Sequence, residues 1–311
     1  MTSLEAQRHF YARFVTAKGG TADPRLVDAF GSIWREQYVR KGPWSIEVGG
    51  GYICSETDDP TVLYQDFLVG LNVQRGINNG QPSLHAKCIG AALPQPNEVV
   101  LQVGAGTGYY TAILAHLVGP GGRVYAYEID EELAREAARN LAQFTTVTVR
   151  AESALETNLP SVNVIYVCAG ATHVPLKWLD ALTTGGRLVL PLTTHEGPGC
   201  MLLVTQQSAN AYCARILCPA WFIPCIGARR DDCSRALAAA LETRTTEQVR
   251  SLRRGSDPDE TAWCIGEGWW LSTVEAAPLE GAPCPVAVDS ETLVAVLKGI
   301  FPGLAPFICR K

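Results

Sequence analysis

The sequence predicts an α/β fold: a mostly parallel sheet covered by helices on both faces, with an antiparallel hairpin at one end. Three observations predict it. From residue 99, short apolar runs (Val99–Val103, Arg123–Tyr127, Val147–Arg150, 163–167, 187–190) alternate with helical stretches at 109–117 and 131–144. Strands buried on two sides and separated by helices pair in parallel. The first run enters Gly104, Gly106 and Gly108 and then a helix, a strand–turn–helix junction. Last, the runs 201–205 and 212–218 are joined through 206–210, too short for a crossover, so they form the hairpin.

Ahead of this core, residues 1–45 read as helices. Phe10, Phe14 and Val15 fall on one side of the first. Asp23-Pro24 opens a second, with Leu26, Val27, Phe30, Ile33 and Trp34 at helical spacing. Residues 46–80 read as Gly-rich and irregular, with a short helical or extended segment near 63–71, and 76–82 are dense in turn formers. A helix follows over 83–93, with Leu84, Cys88, Ala91 and Ala92 on one face and Pro94 as its stop. In the helix 131–144, Leu133, Ala137, Leu141 and Phe144 form a stripe. After 231 come helices, a Trp-rich stretch (Trp263, Trp269, Trp270) that reads as packing, and a Pro/Gly-rich segment at 276–285.

The chain's 311 residues suggest one or two domains, read as an N-terminal helical and substrate-loop region 1–82, a core 83–228 and an extension or small subdomain 229–311. A net charge of −5 argues against a broad nucleic-acid surface. No apolar run is long enough for a membrane helix, and the first 20 residues lack a signal-peptide pattern, so the expectation is a cytoplasmic chain with no membrane partner. Eleven cysteines, all single and with no C-x-x-C pair, read as free thiols and offer no metal site.

The glycine turn carries the chemistry. Glycines let the chain turn sharply and let a ligand approach the backbone. Glu128 ends the second strand, 20 positions after Gly108, where a carboxylate can accept from both hydroxyls of a ribose. A dinucleotide loop reads G-x-G-x-x-G, but Tyr109 stands at the last glycine's position. A bulky residue there hinders a pyrophosphate. The spacing fits S-adenosyl-L-methionine, which has no phosphate to cradle. Nicotinamide, flavin and a cofactor-free turn are the alternatives. The cofactor candidates are Gly104, Ala105, Gly106, Thr107, Gly108 and Tyr109, with Glu128 and Ile129 after the second strand.

Over residues 24–226 the chain resembles the protein-L-isoaspartate O-methyltransferase family. The segment 78–86 (NNGQPSLHA) lies where that family has I-S-x-P-x-x-H-A, and 117–124 (LVGPGGRV) resembles its VGPxGxV connection. Residues 162–170 and 182–191 resemble its fourth and fifth strands, and 221–224 (WFIP) its closing rFvP segment. The resemblance implies a Rossmann-like class I methyltransferase sheet. It also implies that Glu152, with Ser153, meets the adenine, although the family's GDG is absent there, and it adds Ala169 to the cofactor set. The family's serine is Gly80 here, and the chain carries a tail that a minimal repair enzyme lacks. Both departures suggest a narrower substrate, a peptide or small-molecule methyl acceptor.

A carboxylate acceptor is ionised at neutral pH and needs no base. Asn79, Gln81 and Ser83 would then suffice as polar donors, unless they merely make the turn and cap the next helix. An acceptor that must lose a proton would call on a histidine. His85 and His173 are the two to weigh: His173 follows the fourth strand, where substrates bind, and is the candidate, while His85, one turn into its helix, reads first as structural. The expected activity is O-methylation of a carboxylate on a specialised substrate. The alternatives are a small-molecule O- or N-methyltransferase with a histidine base, a nucleic-acid methyltransferase, and a catalytically idle cofactor-binding scaffold.

Overall fold

The structure, a computed structural model, describes residues 3–208 and 210–276. The Pro/Gly-rich segment therefore lies, after its first residue, outside the described residues, as do Cys284 and Cys309.

Two helices open the chain, α1 (Ser3–Lys18) and α2 (Pro24–Ser32), the second capped by Asp23, whose side chain accepts from the Arg25 N–H. The buried face of α1 is Tyr11, Ala12, Val15 and Thr16; Phe10 and Phe14 point outward, against the expected stripe. Polar Thr16 sits inside because its hydroxyl donates to the Ala12 carbonyl at 2.7 Å. Residues 46–80 are more regular than expected. They form a small antiparallel sheet of β1 (Ser45–Val48), β2 (Gly51–Cys54), β3 (Val69–Asn72) and β4 (Ile77–Asn78), in the order β2-β1-β3-β4. Strands this short carry too little alternation to read from sequence.

The core follows as α3 (Pro82–Ala92), β5 (Val99–Val103), α4 (Tyr109–Val118), β6 (Arg123–Tyr127), α5 (Glu131–Asn140), β7 (Val147–Arg150), β8 (Val162–Val167), α6 (Leu176–Ala181) and β9 (Leu182–Thr193). The hairpin is β10 (Pro198–Ser208) with β11 (Ala211–Trp221). The extension contributes α7 (Asp231–Thr243), β12 (Ser251–Arg254), β13 (Ala262–Gly266) and β14 (Trp269–Ser272). All ten strands from β5 onward share one sheet, ordered β13-β14-β12-β11-β10-β9-β8-β5-β6-β7.

From β7 to β9 the pairing is parallel, as the alternation of strands and helices requires. Beyond β9 every pairing is antiparallel, and β12 continues the hairpin edge by pairing Ala211 with Arg253. The extension is thus built onto the main sheet.

Side chains alternate between the two faces of the sheet. Val100, Val164, Val189, Met201 and Leu203 pack under α1 to α4. Leu101, Ile165, Leu188, Leu190, Leu202 and Val204 pack on the other face with Trp178 of α6, Leu237 of α7, and Leu252, Trp263 and Leu271 of the extension. The tryptophans at 263, 269 and 270 are all buried. None of the nine described cysteines is in a disulfide, and among the described residues no cluster could hold a metal ion. Among them, too, no helix is long and apolar enough to cross a membrane.

Candidate active site

A cavity of about 950 Å³ opens where β5, β6 and β8 end, at the point where the strand order runs outward from β5 on both sides. Open parallel sheets bind ligands at such a crevice. One wall is the loop after β5. Gly104 and Ala105 donate their N–H groups to the Tyr127 carbonyl, at 2.8 and 3.1 Å, so the loop is tied to the end of β6. Glu128 stands there, 7% exposed. Its Oε2 accepts the Gly106 N–H at 2.8 Å and its Oε1 the Asp130 N–H at 3.0 Å. Burial raises its pKa, and these backbone donors only partly oppose the rise. A carboxylate has about four acceptor directions, so acceptor capacity remains for a ligand.

The glycines of the loop divide by task. A β-carbon on Gly106 would meet nothing within 4 Å, which leaves its backbone open to a ligand. One on Gly108 would come 2.8 Å from Leu141. Gly108 is a packing glycine at the start of α4 and does not line the cavity, contrary to its expected place in the cofactor set. Gly104, Ala105, Gly106, Thr107, Tyr109, Glu128, Ile129, Glu152, Ser153 and Ala169 all do.

The opposite wall is the turn 76–81 and the start of α3. Asn79 and Gln81 line it. The Asn79 Oδ1 accepts from Arg35 Nη2 at 3.1 Å and from the Val69 N–H at 3.0 Å. Arg35 is wholly buried, and its other hydrogen bonds go to the carbonyls of Leu63, Gln65 and Phe67. Ser83 does not reach the cavity: its hydroxyl donates to Asp66. Neither Gln81 nor Ser83 caps α3 with its own side chain. Asp66, from the loop before β3, accepts the Ser83 N–H at 2.8 Å and the Gln81 amide at 3.0 Å.

His173 is a second correction. It lies outside the cavity, among Arg230, Asp232 and Glu267. The cause is tertiary. Gly170 exchanges hydrogen bonds with Ile223 and Cys225, and Thr172 with Ala228 and Arg230, so the chain after β8 is pinned to 223–230 and carries His173 toward the extension. Burial, and then Arg230, lower its pKa.

His85 takes the place expected of His173. It is 3% exposed yet lines the cavity. Its ring stacks on Tyr110 with centroids 3.6 Å apart, and Nδ1 is 2.7 Å from the Tyr166 hydroxyl. Burial first, and then the Arg35 charge, lower its pKa to about 3. Sequence reasoning missed Asp66 and the partners of His85, which come from distant segments. A charged residue following the apolar helical stripe was the signal available for Arg35. The last wall, 219–226, brings Trp221 and Ile226, 71% and 70% exposed, to the cavity mouth.

Residues 56–230 match the family described as Protein-L-isoaspartate(D-aspartate) O-methyltransferase, more than half of the chain. A protein-L-isoaspartate O-methyltransferase of Protochlamydia amoebophila is 30% identical over 215 residues, which cover 68% of this chain and 92% of that protein. Among solved structures, a protein-L-isoaspartate O-methyltransferase superposes with a TM-score of 0.60 at 21% identity, covering 75% of this chain and 69% of that one. One from Plasmodium falciparum, in complex with S-adenosyl-L-homocysteine, gives 0.57 at 16% identity, covering 70% and 97%. These two likenesses establish the fold.

Proposed function

This chain belongs to the protein-L-isoaspartate(D-aspartate) O-methyltransferase family and is an S-adenosyl-L-methionine-dependent methyltransferase, and we propose that its acceptor is a carboxylate on a specialised peptide. The observation that carries the proposal is the acceptor-side wall. It offers neutral polar groups and no strong base: Asn79 and Gln81 line it, His173 lies elsewhere, and His85 has its pKa lowered to about 3. A carboxylate is already ionised and needs only to be aligned. The same facts weigh against an acceptor that depends on a histidine base.

The residues present fit the cofactor. Gly106 leaves open space, and Glu128 keeps acceptor capacity for the ribose hydroxyls. Glu152, Ser153 and Ala169 would hold the adenine side. The bound cofactor supplies a methyl group on a sulfonium, a good leaving group. Asn79 and Gln81 would orient the acceptor against it. The exposed apolar groups at the mouth, Trp221, Ile223 and Ile226, suit a peptide with an apolar residue beside the carboxylate. The intact glycine loop and Glu128 argue against an idle scaffold.

The test is transfer of labelled methyl to a panel of isoaspartyl peptides of different lengths and flanking residues, scored as methanol released by base. Esters confined to peptides with an apolar flank are expected. Uniform turnover across the panel would restore a general repair role. Base-stable methylation, or none, would refute a carboxylate acceptor.

A further inference from the structure

Gly80 stands where the family pattern of 78–86 has its serine. Its φ is +73°, and a β-carbon built there would fall 2.2 Å from Nε2 of His85. No β-carbon tolerates that distance, and the obstacle is a ring held on several sides. Tyr110 stacks on it, and Tyr166 and Phe222 meet it edge-on with centroids at 5.9 and 6.1 Å. Tyr110 also donates its hydroxyl to the Gly80 carbonyl at 3.3 Å, so one residue holds both the ring and the turn. In this chain the imidazole occupies the space that a side chain at position 80 would need.

The two ring nitrogens differ. Nδ1 pairs with the Tyr166 hydroxyl at 2.7 Å. Nε2 faces Gly80 at the cavity wall and has no hydrogen-bond partner among the described residues. Burial raises the Tyr166 pKa well above the usual phenol range, so its O–H stays on and needs an acceptor. Nδ1 supplies it. Tyr166 then donates to Nδ1, and the ring's own proton resides on Nε2. A purely structural histidine would have its second nitrogen satisfied within the core. This one ends in an N–H beside the cavity.

We propose that the Nε2–H of His85 donates a hydrogen bond to the acceptor carboxylate, with Gly80 required to make room for the ring and Tyr166 required to set its tautomer. The inference rests on the carboxylate reading above. His85 is then an acceptor-binding donor and not a base. The low basicity of the ring suits that role, because a neutral donor keeps its proton throughout turnover.

The experiment uses the full chain. Nitrogen NMR of labelled histidine, in the complex with S-adenosyl-L-homocysteine, is expected to show His85 protonated on Nε2, and Tyr166→Phe is expected to mix the tautomers. A proton on Nδ1 would overturn the proposal. For turnover, the probe is the isoaspartyl peptide esterified fastest in the panel. His85→Phe should lower kcat/KM about 10- to 100-fold, the scale of a hydrogen bond to a charged group. S-adenosyl-L-homocysteine affinity should stay unchanged, and His85→Gln should recover part of the loss. Gly80→Ser, which restores the family's residue, should lower turnover by displacing the ring. Undiminished kcat/KM in His85→Phe, or faster turnover in Gly80→Ser, would overturn the inference while leaving the carboxylate reading intact. Absence of any base-labile ester from the unmodified chain overturns both. If His85→Phe loses the cofactor, the nitrogen spectrum and His85→Gln decide.

Discussion

Asp66 meets Ser83 twice: its carboxylate accepts the Ser83 backbone N–H at 2.8 Å and the Ser83 hydroxyl at 2.6 Å. A carboxylate thus sits at the positive end of α3, where it is favoured, and ties the loop before β3 to the helix that carries His85. Lys18 of α1 completes the group with Nζ 2.7 Å from Asp66.

Asp66→Ala is expected to lower stability by about 1–3 kcal/mol, because it leaves buried donors unpaired. Burial alone would raise the Asp66 pKa. The Lys18, Ser83 and Gln81 donors together outweigh it and hold the pKa below the ordinary carboxylate value. The contribution of Asp66 is therefore present above the unfolded pKa and is lost as pH falls through the lowered folded value. In urea unfolding, the gap between the wild type and Asp66→Asn should be full and steady above about pH 4 and close progressively as pH falls below it. A constant gap would show that the charge is irrelevant.

Glu128→Ala should weaken S-adenosyl-L-homocysteine binding by about 1.5–3 kcal/mol, measured by calorimetry. The raised pKa of Glu128 gives the test a pH arm. As pH falls through that value the carboxylate becomes neutral, so cofactor affinity should begin to drop above the usual carboxylate range. Stability of the cofactor-free chain should move the other way. Relative to Glu128→Gln, the wild type should gain stability as pH falls, because the folded state takes up the proton more readily.

Gly106 and Gly108 should separate ligand binding from folding. Gly106→Val projects into open space and should abolish cofactor binding, with only the modest penalty of a side chain at φ +56°. Gly108→Val collides with Leu141 at φ +97° and should chiefly lower the melting temperature. Equal melting temperatures for the two variants would contradict this division.

Ending the chain at Ala228 should destabilise it and not simply open the cavity. Leu237, Leu252, Trp263 and Leu271 belong to the core on one face of the sheet, and β12 covers the edge of β11. A bare edge and an exposed apolar face predict aggregation. A monomeric truncated chain with an unchanged melting temperature would refute the packing role of the extension.

The parallel half of the sheet was legible because buried strands and amphipathic helices carry their own period, and the glycine loop with Glu128 because turn geometry demands particular residues at fixed spacing. The hairpin was legible for the same local reason. What lay beyond local pattern was the company each residue keeps. The stripe Phe10, Phe14 and Val15 reads as a core face, yet docking of α1 on α2 and α3 buries Tyr11 and Ala12 with Val15 and leaves both phenylalanines outside. Ser83 and Gln81 look like caps, and Asp66, 17 and 15 positions away, takes their donors. The sequence offers two histidines, His173 after the fourth strand and His85 one turn into its helix. Packing against 223–230 turns His173 away from the cavity, and Tyr110, Tyr166 and an absent side chain at Gly80 set His85 into it. Local chemistry determined which elements of the parallel core and its hairpin form and what the glycine loop can hold. Only tertiary contacts, which bring residues together without regard to their separation in the chain, decided which polar groups face the acceptor.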